Sequence, residues 1–345
     1  MGELWFWLVA VMLVAYTVLD GFDLGAGIVH LFVARTDEER RVVLGSIGPF
    51  WDGNEVWLLA AGGTLYFAFP ALYAASFSGF YLPLMIVLWL LMLRGMAIEF
   101  RSHLDNPLWR PFWDLTFSAA SALLAIFYGA ALGNVVRGVP LDPQGEFFLP
   151  LWTDFGLTGS IGILDWYTVS IALLAFAVLT MHGALWVAYK TEATVRERAN
   201  RAAGFAWIGT VGLTVIATYA TAVVQPYIWK NLTDHPAGFV FPAAAVAALA
   251  LVKVFSRQSD GLRTFLASCA YIAAMLVSTA FGVFPFLLAS NQNPSLALTV
   301  QNASAKPYGL QVGLFWWIPG MLLASAYFVF LYSRFSGKAR PGHGE

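Results

Sequence analysis

Residues 48–57 read Gly-Pro-Phe-Trp-Asp-Gly-Asn-Glu-Val-Trp and lead into a segment with no charged side chain as far as Phe69. Asp52 and Glu55 are three residues apart, so their carboxylates share one face if a helix begins here. Asp20 and Asp23 have the same spacing within the preceding apolar segment. Ionisable groups in such segments are costly and generally face a bundle interior or a wet cavity. The two pairs therefore predict one polar site between neighbouring helices.

The composition is that of an integral membrane protein. Of the 345 residues, 59% are apolar and 11% are charged, and the mean hydropathy is +0.69. Soluble domains carry about 25% charged residues. A net charge of −1 argues against nucleic acid as a partner. The single cysteine, Cys269, lies in an apolar run, which excludes a disulfide framework.

Nine apolar segments predict an all-α polytopic fold with about nine membrane-spanning helices, since a bilayer requires roughly 20 residues per span. We place their bounds at about 4–34, 56–70, 72–101, 111–134, 165–189, 204–229, 238–255, 263–289 and 312–333. Residues 1–345 are expected to form a single membrane domain, with helices 1–4 at about 4–134 and helices 5–9 at about 165–333. Gly21 and Gly25, in G-x-x-x-G spacing, predict close approach of another helix.

Basic residues are concentrated in alternate connections, which predicts the orientation of the chain. Short cytoplasmic loops carry the excess of Lys and Arg. The basic groups are Arg35, Arg40 and Arg41; Arg101 and Arg110; Lys190, Arg196, Arg198 and Arg201; Lys253, Arg257 and Arg263; and Arg334, Lys338 and Arg340. We therefore expect the N-terminus outside, the C-terminus in the cytoplasm, and both acidic pairs on the cytoplasmic side.

The sequence provides no evident pair of haem ligands. His30 and His182 lie in apolar segments, but neither has an evident second ligand on a facing helix. We interpret both as hydrogen-bonded histidines. No nucleotide fingerprint, zinc spacing or nucleophile elbow is present. Arg94, late in the third segment, either extends to the cytoplasmic surface or neutralises one of the acids.

Several stretches together resemble subunit II of the cytochrome bd-type quinol oxidases. The two strongest are residues 19–27, Leu-Asp-Gly-Phe-Asp-Leu-Gly-Ala-Gly, and the specific motif at residues 48–57. The resemblance covers nearly the whole chain. Further similar stretches are residues 74–81, 94–101, 133–140 and, more weakly, 284–286.

The resemblance implies a subunit of a terminal oxidase in a bacterial or archaeal cytoplasmic membrane, which takes electrons from quinol and reduces dioxygen to water. It implies a fold of two four-helix bundles plus a peripheral helix. The expected partner is a haem-bearing subunit I that holds two haems b and one haem d. Membrane lipid, quinone and a small accessory subunit are further expected partners. This chain is expected to ligate neither haem nor metal and not to be catalytic alone.

The resemblance also implies a proton path from the cytoplasm through Asp52, with Asp20 deeper and Asp23 nearby. Glu55 shares the helix face of Asp52 and is assigned to the same path. Trp57 is similar to a position associated with lateral oxygen access. An alternative for Asp52 is that it only caps the N-terminus of the second segment.

The residues alone leave two other functions open. Intramembrane carboxylates alone fit a proton-coupled secondary transporter equally well. Such a transporter favours broken helices at corresponding positions of two repeats, with a site at the midplane. The acids here lie in one half of the chain and on the predicted cytoplasmic side, which weakens that interpretation. The third alternative is a scaffold whose acids are merely hydrogen-bonded in the core.

Overall fold

A computed structural model describes residues 1–339, so Arg340 of the C-terminal basic group lies outside the described residues. Twelve α-helices dominate this part of the chain, with one pair of short antiparallel strands, β1 Phe286–Leu288 and β2 Leu298–Thr299. The helices are α1 Gly2–Val33, α2 Asp37–Ile47, α3 Trp51–Ala68, α4 Pro70–Gly79, α5 Tyr81–Phe100, α6 Trp109–Arg137, α7 Trp166–Lys190, α8 Ala193–Val224, α9 Pro226–Asp234, α10 Val240–Arg257, α11 Gly261–Val283 and α12 Pro307–Arg334.

The prediction of an all-α polytopic membrane protein is confirmed. Within residues 1–339, eight helices are long and apolar enough to cross a membrane. They are α1, α5, α6, α7, α8, α11, α12 and the stretch Pro236–Arg257, which contains α10. The pair α3 and α4, bent by 119°, makes a ninth span if it is counted as one. The expected number of about nine agrees with this count.

The region predicted as the second and third segments is divided differently. The second span begins at Trp51 rather than at 56, and the predicted helix 72–101 is two helices that meet at Phe80. The bend between α3 and α4 follows from Pro70, which occupies the first position of α4. Proline has no N–H to donate and fits the start of a helix better than its interior.

Two further helical stretches were not predicted. The short α2 follows α1 directly, and its start is fixed by a capping box in which Thr36 and Glu39 bond each other's backbone N–H groups. The helix α8 begins at Ala193 rather than at 204. Charged residues such as Arg196 and Glu197 lowered the apolar signal there, although both are good helix formers.

The helices α1 and α7 cross so closely that only glycine fits at the crossing. A β-carbon built on Gly25 would lie 2.0 Å from the carbonyl oxygen of Leu179, and one on Gly183 would lie 2.1 Å from the carbonyl carbon of Gly25. Gly21 faces the side chain of Leu179. The predicted close approach is therefore present, and it occurs within this chain. The G-x-x-x-G stretch does not provide a surface for a partner.

The helix α12 packs loosely along most of its length. Only Leu310 and Leu331 of this helix are buried. The predicted orientation places the C-terminal end of α12 in the cytoplasm. This end is held firmly, because the Lys190 ammonium donates to the carbonyl oxygens of Phe335 and Gly337, each at 2.6 Å. The chain after α12 is thereby fixed to the end of α7 and lies near the start of α3.

Candidate functional site

The acids of α1 lie in an enclosed part of the chain. The helices α3, α6, α7 and α11 all pack against α1. Every residue from Asp20 to His30 is consequently buried, and both Asp20 and Asp23 are fully inaccessible to solvent. Carboxylates at such positions require a compensating charge or hydrogen bonds. The two acids obtain their partners from different helices.

Asp20 forms a bidentate ion pair with Arg94 of α5. The guanidinium Nη1 donates to Asp20 Oδ2 at 2.9 Å, and Nη2 donates to Oδ1. Both side chains are completely buried. The same Nη1 lies 3.9 Å from Glu55 Oε2. Of the two alternatives for Arg94, neutralisation of an acid is therefore correct, and extension to the surface is wrong.

Asp23 is held by an amide rather than by a cation. Asn54 Nδ2 donates to Asp23 Oδ2 at 2.7 Å and also contacts the carbonyl oxygen of Leu19 at 3.2 Å. The Tyr332 hydroxyl of α12 donates to Asn54 Oδ1 at 3.0 Å. The other oxygen, Asp23 Oδ1, is buried and has no hydrogen-bond partner among the described residues. Asp23 thus keeps one oxygen available for a proton.

Asp52 and Glu55 lie at the more open end of the site. Asp52 is exposed, while the Glu55 side chain retains 25% of its exposure beside Arg94. The helix α3 begins at Trp51 without a side-chain cap, and no hydrogen bond of the Asp52 carboxylate is present within residues 1–339. The alternative that Asp52 only caps α3 therefore finds no support. Its carboxylate lies about one turn from that of Glu55 on the same helix.

Two tyrosines extend the polar region beyond Asp20, away from Asp52. The Tyr16 hydroxyl donates to the Tyr128 hydroxyl at 2.8 Å. Tyr16 precedes Asp20 by one helical turn, and the two side chains interact electrostatically. No sequence pattern indicated this pair, because tyrosines are frequent throughout the apolar segments.

Trp57 lies on α3 and contacts α12. Its ring is tilted against Phe328, with the ring centroids 5.7 Å apart. The indole Nε1 is buried and has no hydrogen-bond partner in the described part of the chain. The contact ties the start of α3 to the loosely packed α12.

A second charged cluster surrounds Asp114 of α6, which sequence reasoning missed. Its carboxylate is hydrogen-bonded to His30 Nε2 at 2.7 Å and accepts from Arg101 Nε at 2.6 Å and Arg40 Nη1 at 2.9 Å. Asp37 of α2 accepts from Arg101 at 2.8 Å. The cluster joins α1, α2, α5 and α6 and accounts for His30 as a hydrogen-bonded histidine.

Two acids of α2, outside the spanning helices, are strongly stabilised as carboxylates. Although burial acts in the opposite direction, the bonds to Glu39 from the Arg35 N–H, Arg198 and Thr194 lower its pKa to about 2. Arg198 donates to Glu39 at 2.8 Å. Burial also opposes the shift at Asp37, whose pKa is lowered by the neighbouring arginines. These contacts fasten α2 to the rest of the chain.

The two histidines of the spanning helices, His30 and His182, both take part in hydrogen bonds. His182 uses both ring nitrogens, Nδ1 toward the Ser268 hydroxyl at 2.7 Å and Nε2 toward the carbonyl oxygen of Val18 at 2.9 Å. His30 has Nε2 engaged by Asp114, while its buried Nδ1 has no hydrogen-bond partner among residues 1–339. Within residues 1–339, no three His, Cys, Asp or Glu side chains are grouped so that they could hold a metal ion.

The fold and the site define a polytopic membrane protein that buries paired carboxylates on one central helix. Residues 1–335 match the family described as "Cytochrome bd terminal oxidase subunit II". The chain belongs to this family, and the resemblance inferred from the motifs is confirmed. It is a subunit of a terminal quinol oxidase, an oxidoreductase complex of the cytoplasmic membrane, whose subunit I is its partner.

Individual relatives agree with this assignment. The chain is 31% identical to the "Probable cytochrome oxidase subunit 2" of Haemophilus influenzae, covering 97% of this chain and 94% of that protein. It is 32% identical to the "Cytochrome bd ubiquinol oxidase subunit 2" of Bacillus subtilis, covering 90% and 88%. A chain in "The structure of bd oxidase from Geobacillus thermodenitrificans" matches with a TM-score of 0.77 at 18% identity, covering 97% of this chain and 98% of that chain. This last likeness concerns the fold.

Proposed function

We propose that this chain is the haem-free subunit II of a quinol:oxygen oxidoreductase and that its carboxylates take up protons from the cytoplasm. Reduction of dioxygen to water consumes one proton for each electron, and a haem within the membrane needs a polar route to supply them. The observation that carries the proposal is the graded burial of four acids, from exposed Asp52 through Glu55 to fully buried Asp20 and Asp23.

The four acids are suited to different parts of such a route. Asp52 is accessible to water, and Glu55 lies between it and the buried Arg94. Asp23 has an oxygen without a hydrogen-bond partner among the described residues and is therefore suited to receive a proton. The charge of Asp20 is balanced by Arg94, so we assign Asp20 a structural role: its carboxylate stays ionised and its ion pair fixes α1 to α5 beside the route. Tyr16 and Tyr128 continue the line of polar groups.

The remaining parts of the proposal concern partners and placement. We place the haems, two of b type and one of d type, in subunit I; in this chain His182 uses both ring nitrogens in hydrogen bonds and His30 uses Nε2. Trp57, beside α12, is assigned to lateral oxygen access. We further propose contacts with membrane lipid, quinone and a small accessory subunit. The chain forms a single membrane domain with its N-terminus outside and its C-terminus in the cytoplasm. Membership of the oxidase family favours this function over a proton-coupled secondary transporter.

The substitution Asp52→Asn tests the proton role. Asparagine has the same shape but cannot carry a proton, so we expect slowed oxygen consumption and slowed proton uptake in a complex that assembles with its normal haem content. Glu38→Gln is the matched control, since Glu38 is another exposed acid, on α2, outside the proposed route. Wild-type turnover in an assembled Asp52→Asn complex would refute the proton role.

A further inference from the structure

The contact between Tyr332 and Asn54 links the C-terminal end of α12 to the buried acids. The proposed orientation places this end of α12 at the cytoplasmic side. Asn54 contacts Asp23 on one side and Tyr332 on the other, at 2.7 and 3.0 Å. The two contacts use opposite ends of the amide, since its Nδ2 donates to Asp23 and its Oδ1 accepts from the tyrosine. A primary amide can rotate to exchange these ends. The carbonyl oxygen of Leu19 can only accept, so it already favours the orientation that presents N–H to the acid. By donating to Oδ1, the Tyr332 hydroxyl adds to this preference and polarises the amide.

Tyr332 is itself held rigidly. Its ring stacks on Phe50 with the centroids 4.7 Å apart and the planes at 18°. Three residues later, the carbonyl oxygen of Phe335 accepts from Lys190, which also lies 5.6 Å from the Phe50 ring centroid. These contacts immobilise the end of a helix that is otherwise loosely packed. They leave the hydroxyl of Tyr332 directed at a single acceptor.

We infer that Tyr332 is a positioning residue for Asp23: through Asn54, it strengthens the hydrogen bond that favours the carboxylate form of this acid. The effect of Tyr332 on turnover rests on the proposed role of the acids in proton uptake. The bonding itself does not depend on that role. Tyr332 touches neither quinol nor oxygen in this scheme. It acts by setting how readily Asp23 binds and releases a proton.

Other charged groups also act on Asp23. Asp20 lies on the same helix, Glu55 on α3 and Arg94 on α5, and each interacts with Asp23 electrostatically. Cys269 of α11 lies near Tyr332. The substitution Tyr332→Phe alters none of these groups and keeps the aromatic ring on Phe50. Any change in the titration of Asp23 in this variant therefore reports on the hydroxyl.

The experiment follows Asp23 by infrared difference spectroscopy in the assembled oxidase complex as the pH is varied. The signal is assigned as the carboxyl band lost in Asp23→Asn. In Tyr332→Phe, we expect its pH midpoint to move to higher pH by about 0.3 to 1 unit. This shift corresponds to the roughly 2- to 10-fold change in an equilibrium that one hydrogen bond produces. The matched control is Tyr327→Phe, an exposed tyrosine of the same helix.

A second variant separates positioning through Asn54 from a general effect on α12. On the Asn54→Leu background, the acid has already lost the amide, so Tyr332→Phe is expected to cause no further shift. An equal shift with and without Asn54 would overturn the inference. So would an unchanged midpoint in Tyr332→Phe, or the absence of a titrating Asp23 band in the wild-type complex. Failure of the proton role is detected separately, by wild-type turnover of Asp52→Asn.

Discussion

Replacement of Arg94 by methionine is the most demanding test of the charge balance in the site. The guanidinium is fully buried and makes two hydrogen bonds to Asp20, with Glu55 3.9 Å away. Arg94→Met removes the cation and leaves two carboxylates without their shared partner. Methionine fills most of the apolar volume of the arginine stem, so the lost charge dominates the effect.

Breaking a buried pair by removing one partner costs about 3–5 kcal/mol. At 1.36 kcal/mol per tenfold change, this lowers the folding equilibrium constant by a factor of roughly 150 to 5,000.

The assay is the temperature at which the purified complex loses its assembled form, measured by size-exclusion chromatography after heating. Arg35→Met serves as control, since the side chain of Arg35 is exposed and such changes usually stay within about 0.5 kcal/mol. The double variant Asp20→Asn with Arg94→Met removes both charges and should recover most of the lost stability. If the double variant is no more stable than Arg94→Met, the unpaired carboxylate is not the cause and the reasoning is refuted.

Three other outcomes follow from the structure. Gly183→Val should prevent assembly, because a β-carbon already overlaps the backbone of α1, whereas Gly212→Ala, in open space, should assemble normally; equal yields would contradict the close crossing. Glu39→Gln should flatten the decline in thermal stability below pH 4.5: the lowered pKa of Glu39, about 2, means that its contribution is complete above 4.5 and lost as the pH falls toward 2. His182→Ala should leave the haem content per complex unchanged by absorbance in the Soret region; loss of a haem would show that the chain supplies a ligand.

The charged members of the site were evident from the sequence, whereas their neutral partners were not. Asp20 and Asp23 interrupt apolar segments, and a charge there is costly enough to indicate a function. Asn54 carries no such cost and stands in the motif at residues 48–57 without an assigned role. Tyr332 is 278 residues from Asn54 in the chain, so only the packing of α12 brings them together. A local sequence pattern does not reveal a contact between residues so far apart in the chain.

The errors in the predicted helices have a common cause. Hydropathy detects an apolar run but not the point at which the backbone changes direction. Phe80, where α4 and α5 meet, lies inside a continuous apolar run and was placed within one helix. The start of α8 was missed for the opposite reason, since its first turns are polar. Asp114 was missed because a single acid beside Arg110 and Pro111 has the composition of a loop edge.

The central position of α1 has a consequence for biosynthesis. The ribosome delivers this helix to the membrane before any of the partners that neutralise or bond its acids. Asn54 follows Asp23 by 31 residues, and Arg94 follows Asp20 by 74. Gly183, which completes the closest crossing, belongs to α7 and is made later still. During synthesis, α1 is therefore in the membrane before Arg94 and Asn54 are available to its two acids. Protonation or a temporary polar neighbour has to stabilise it. The helix α12, which follows the other described helices in the chain, then supplies Tyr332 and completes the bonding around Asn54.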